Sequence, residues 1–123
     1  EGGCRAPSWS PDGIHVAYYH DAGGIAIFNI ENSSVELLTP SGILPDYSPD
    51  GRTIVFFDGN LKLINVDRTD LRDLGFYGYE PSFAVGRIAY STSTDAIELY
   101  NIERRDRIIL VSSLGENNFD PDW

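Results

Sequence analysis

The side chains able to do chemistry are few and dispersed. His15 and His20 flank one apolar stretch five residues apart. Successive side chains of a strand leave opposite faces, so an odd spacing turns the two rings apart and no shared metal is expected. In "VDRTDLRD" the carboxylates of Asp67, Asp70 and Asp73 fall three apart. That is neither calcium-loop spacing nor the two-residue spacing of one strand face, and a solvated turn with an edge strand accounts for it. Asp120 and Asp122 in "NNFDPDW" could bind a cation or act as acid and base. Asp46 occupies the place matching Asp122, but Ser8 and Ser82 fill the same slot elsewhere, which favours a structural use. The sequence contains no G-x-S-x-G, H-E-x-x-H, C-x-x-C or phosphate-binding glycine loop. No catalytic residue, metal site or cofactor is expected, and any enzymatic role is left open, leaning to none.

What positions these residues is a repeat. "PSWSPDG" from Pro7 returns as "PDYSPDG" from Pro45, then in reduced form as "PSFAVG" from Pro81 and "PDW" from Pro121. The aromatic anchors Trp9, Tyr47, Phe83 and Trp123 are therefore 38, 36 and 40 residues apart. A second register agrees with the first: "IAIFNI", "LKLINV" and "AIELYNI" set Asn29, Asn65 and Asn101 at intervals of 36. β-branched and aromatic runs bounded by Gly, Pro, Asp, Asn and Ser predict four short strands per copy. They fall over 6–10, 14–20, 24–30 and 34–39, then 44–48, 52–58, 60–66 and 69–74, then 80–84, 86–91, 95–102 and 105–111.

"SPDG" reads as a turn in which Ser accepts a hydrogen bond, Pro presets φ, and Gly13 or Gly51 takes the left-handed position. The third copy keeps Gly86 but is one residue shorter, so its hairpin is tighter. The second strands, "HVAYYH", "TIVFFD" and "RIAYS", are apolar at consecutive positions, as in sheets covered on both faces. Small sheets buried on both sides and repeated near every 37 residues are expected to stack about an axis as a β-propeller. The fold class is all-β: three four-stranded antiparallel blades over 6–40, 44–75 and 80–114, and the first strand of a further one at 119–123. This is one propeller region across 1–123.

Composition narrows the partners. Nine basic against nineteen acidic residues give a net charge of −10, which repels phosphate backbones and argues against nucleic acid. No apolar run approaches the ~20 residues of a membrane-spanning helix. Cys4 is the single cysteine and has no internal partner; Glu1 stands where a lipidation signal would carry an aliphatic residue. The absence of an initiator methionine or leader suggests a processed or excised piece.

The motif P-x-W-S-P-D-G, followed by "HVAYY", "IAIFNI" and "ELLT", resembles the Pro-Asp variant of the tryptophan-aspartate propeller repeat found in TolB-type proteins. Pro7 to Gly13 matches throughout, and Pro45 to Gly51 matches with Tyr47 in place of Trp. The resemblance implies a bacterial envelope or exterior protein, periplasmic or extracellular, that binds a protein or peptide with loops at one mouth of the ring. A different class within the family, an accessory or partial propeller of a serine peptidase or polysaccharide lyase with its chemistry elsewhere, is the alternative. The loops before each first strand carry Arg5, Phe76, Tyr77, Tyr79, Glu80, Phe119 and Asp120, a composition suited to a binding hot spot. Aromatics there also suit capping of the blade ends. Three blades do not close a ring, so further blades of the same protein or a second copy are expected to complete it.

Overall fold

The computed structural model describes residues 7–20, 23–94 and 96–111. Twelve strands form three separate four-stranded antiparallel sheets, and the described residues contain no helix. The first sheet is β1 (Ser8–Trp9), β2 (His15–Tyr19), β3 (Ile25–Asn29) and β4 (Ser34–Leu37), in that spatial order. The second is β5 (Ile43–Tyr47), β6 (Thr53–Asp58), β7 (Asn60–Asn65) and β8 (Arg72–Asp73); the third is β9 (Tyr79–Ala84), β10 (Arg87–Ser91), β11 (Ile97–Asn101) and β12 (Asp106–Val111). Each strand pairs with its neighbour in sequence, which is the meander of a propeller blade.

The turns follow from their residues. Gly13 N–H donates to Ser10 O at 3.0 Å and Gly51 N–H to Ser48 O at 2.9 Å, with φ of 73° and 75° at the two glycines. In each turn the serine Oγ accepts from the backbone N–H five residues on, His15 or Thr53, at 3.1 Å. The third hairpin turns on Val85 and Gly86 alone, as its deletion required. The repeated asparagines cap the β3–β4 and β11–β12 turns: Asn29 Oδ1 accepts from Glu31 N–H at 2.8 Å and Asn101 Oδ1 from Arg104 N–H at 2.9 Å. β8 is shorter than the expected 69–74. Its approach is spent on a turn in which Asp67 Oδ1 accepts from Thr69 N–H at 3.0 Å and Arg68 and Asp70 take positive φ.

Register sorts every sheet into two faces. In the first, Trp9, Val16, Phe28 and Val35 are successive Cα partners on one face, and Ser8, Ala17, Ile27 and Glu36 on the other. The second face meets the next sheet, where Ala17, Ile25, Ile27 and Leu38 form a core with Tyr47, Ile54, Phe56 and Ile64. A second core joins Val55, Leu61 and Leu63 to Ile88, Tyr90 and Tyr100, with Phe76 and Phe83 packed on it. The middle sheet is thus covered on both sides, and Ile54, Val55 and Phe56 in succession are buried. Among the described residues the outer two sheets each keep one open face.

Trp9 departs from the burial between neighbouring blades that its place in the repeat, shared with Tyr47, leads one to expect. It is 58% exposed, whereas Tyr47 is 7% exposed, because each anchor faces the preceding blade and nothing described precedes Trp9. Phe83 also faces the preceding blade, half-buried against the second core. Trp123 and the strand expected at 119–123 lie outside the described residues.

Candidate binding site

Alternating strand direction sends the loops before β5 and β9 to one end of the molecule and the SPDG turns to the other. At the first end, Leu44 and Glu80 take positive φ of 58° and 52°, each directly before a proline. That is sparsely populated backbone for such residues. Both coincide with register shifts in β5 and β9, bulges of the kind that re-aim side chains. Pro7, Leu44, Pro45, Glu80 and Pro81 line a shallow depression there.

Beside it lies "FYGYE". Gly78 is buried, and a Cβ on it would stand 2.6 Å from Leu61 Cγ and 2.8 Å from Tyr90 Cδ2. Only glycine lets the loop lie that close. Tyr77 and Tyr79 flank it, and both set their rings edge-on to Phe57, with centroids 5.3 and 5.2 Å away. The two remain 40% and 36% exposed, with Glu80 exposed next to them. Asp58, on the same end, accepts from Ser41 Oγ at 2.6 Å and pairs with Lys62 Nζ at 3.3 Å.

Phe76 belongs elsewhere. Its ring packs against Tyr90 and Tyr100, both at 5.3 Å, under the Arg107 guanidinium at 4.3 Å. This ring caps the seam between the second and third sheets. Of the seven residues expected at the mouth, Tyr77, Tyr79 and Glu80 come together as a surface, and Arg5, Phe119 and Asp120 lie outside the described residues.

Asp46 bridges three blades. Its Oδ1 accepts from Ser8 Oγ at 2.9 Å and its Oδ2 from Phe83 N–H at 2.7 Å, while Ser8 Oγ accepts from Tyr47 N–H at 3.2 Å. In the first two copies the slot that holds Ser or Asp is a tie to the next blade, and both oxygens of Asp46 take part in bonds between blades. Asp122, its counterpart, lies outside the described residues. Among the described residues no three histidine, cysteine or carboxylate groups converge as a metal would require.

At the opposite end the turn carboxylates are anchored alike. Asp12 Oδ1 accepts from Ser10 Oγ and from Ile14 N–H at 2.9 Å; Asp50 Oδ1 accepts from Ser48 Oγ at 2.6 Å and Arg52 N–H at 2.9 Å. These bonds, the hydroxyl first, hold both carboxyls below the usual range. Sequence reading saw only turn formers here. The signal was the same acid repeated at one position of adjacent blades.

No model of a known protein family matches the sequence, and no curated protein matches it. Solved structures do match in fold. TolB from Acinetobacter baumannii superposes with a TM-score of 0.79 at 22% identity, over 94% of this chain and 34% of that one. A putative TolB from Agrobacterium tumefaciens gives 0.70 at 21%, over 85% and 49%. Dipeptidyl peptidase 4 of Porphyromonas gingivalis gives 0.62 at 14%, over 89% and 19%. The chain spans less than half of each. At these identities the likeness is one of fold: an open, partial β-propeller with TolB and peptidase propellers among its structural neighbours.

Proposed function

We propose that the chain is a non-catalytic interaction propeller that binds a protein or peptide through the loop before β9. The carrying observation is the pair Tyr77 and Tyr79, seated on Phe57 and flush against the blades through Gly78, yet over a third exposed. Rigidly backed tyrosines offer large amphipathic contact area at little cost in conformational entropy, which is what binding surfaces use. The depression edged by Glu80 beside them gives a partner relief to fit. The resemblance to TolB-type propellers supports the same reading and a place in the bacterial envelope or exterior.

The test is selection of random peptides on the immobilised chain, with each enriched peptide then titrated against a Tyr77→Ala/Tyr79→Ala double variant. Enriched peptides should bind the variant at least about tenfold more weakly, as for loss of a hot spot. Peptides that bind both proteins equally, or a selection without enrichment, would overturn the assignment.

A further inference from the structure

A cavity lies at the other end of the molecule, between the first two blades. It measures ≈ 490 Å³, inside the span of about 300–1,000 Å³ typical of small-ligand sites. Its rim carries the carboxylates of Asp12, Glu36 and Asp50, and its walls include Ile27, Tyr47 and Val66. The two SPDG turns abut there: a Cβ on Gly51 would come within 3.2 Å of the Pro11 ring. We propose that this cleft receives an arginine side chain of a protein partner.

The donor and acceptor inventory is one-sided. Asp12 and Asp50 spend Oδ1 on their turns. Oδ2 of Asp50 makes no hydrogen bond or ion pair among the described residues. Oδ2 of Asp12 faces His15 Nδ1 at 3.5 Å. Glu36 engages one oxygen with Arg68 Nη2 at 3.3 Å. Tyr47 is 7% exposed, and its hydroxyl has no hydrogen-bond partner among the described residues. That hydroxyl lies near Asp12: burial first, and the Asp12 charge second, push the phenol up to about 12. A buried polar group is normally satisfied. The hydroxyl can accept as well as donate, and the carboxylates beside it accept while no lysine or arginine is among the lining residues, so a donor-rich group complements the cavity.

A cation with an apolar stem meets every requirement. The stem would lie along Ile27 and Val66, and the head would reach Tyr47 Oη and the carboxylates. A metal ion is the poorer occupant, because no three ligating groups converge among the described residues. Arginine suits better than lysine: its planar fork can engage two carboxylates at once and lie over an aromatic ring. A net charge of −10 draws cationic partners toward the molecule.

The probe is acetyl-Gly-Arg-Gly-amide, titrated into the ¹⁵N-labelled 123-residue chain, with citrulline and lysine peptides as controls. Saturable amide shifts should centre on residues 10–15 and 47–52. The citrulline peptide should bind about tenfold more weakly, for loss of charge-assisted bonds. Asp50→Asn, which keeps Oδ1 as acceptor for the turn and hence the fold, should weaken arginine binding about fivefold or more. Tyr77→Ala should leave it unchanged. Equal binding of the citrulline peptide, shifts confined to residues 76–80, or no saturable shift would overturn the proposal. A lysine peptide that binds as tightly as arginine would overturn the choice of occupant.

Discussion

Asp12 and Asp50 do identical work 38 residues apart, and their charge carries a pH signature. Hydroxyl and amide donors hold both carboxyls below 3.8 in the folded chain. A lowered folded value means that the unfolded state takes up protons first. The stabilisation is therefore complete above the ordinary carboxylate range and fades as pH falls below it, through the folded value. Asp12→Asn/Asp50→Asn should melt lower than the parent at pH 7, and the gap should narrow on acidification to about pH 3. A gap that stays constant with pH would deny the charge a role. At the alkaline limb the sign reverses. Burial raises Tyr47 to about 12, and it raises Tyr90 further with help from the hydroxyl's donation to Glu98 Oε1 at 2.9 Å. Unfolded tyrosines lose their protons first, so stability holds below about pH 10 and is lost above it. The part of the phenolate absorbance that a Tyr47→Phe/Tyr90→Phe variant lacks should rise together with unfolding, and its rise in a fully folded chain would contradict the burial.

Anchors and ties act between blades. Tyr47 stands in the seam that Trp9 would fill one blade earlier, so Tyr47→Ala should cost about 3–5 kcal/mol as ring burial and cavity terms add. Trp9→Ala, on an open face, should cost under about 1 kcal/mol in the isolated three-sheet unit. Asp46→Ala strands Phe83 N–H and should cost about 1–2 kcal/mol, whereas Asp46→Asn can still accept from Phe83 and donate to Ser8 and should be milder. Urea titration of the four variants checks the order. The strands and hairpin turns were legible because SPDG and the apolar runs act locally. The tie through Asp46, the exposure of Trp9 and the packing of Phe76 on Tyr90 and Tyr100 were not, since each depends on what stands across a seam. The candidate surface was legible in part: the aromatics of "FYGYE" advertised a loop, but only Gly78's contact with Leu61 and Tyr90 sorts Tyr77 and Tyr79 outward from Phe76 inward.

The open faces bear on the molecule as a whole. Trp9, Val16, Phe28 and Val35 run in one row across the first sheet, and Ser82, Ala89, Leu99 and Ile108 across the third. Trp9, Val35 and Ile108 are all more than half exposed. The first row repeats the face that Tyr47, Ile54 and Ile64 turn to blade one; the second repeats the face formed by Ser8, Ala17 and Ile27. The two are therefore complementary in the same sense as the seams already closed, and Ser82 stands where Ser8 bonds the next anchor's N–H. Apolar faces of this kind drive association, and a closed ring takes about four to eight blades. For the isolated 123-residue chain the expected source is a second copy: two chains set head to tail about a two-fold axis would make six blades, with each Trp9 buried against the other's third sheet. Light scattering should give twice the monomer mass. Ile108→Asp should return the chain to monomer with its strands intact, and Trp9→Ala should weaken the dimer by about 3–5 kcal/mol for each of its two buried anchors. A folded monomer of the parent chain at high concentration would refute this closure.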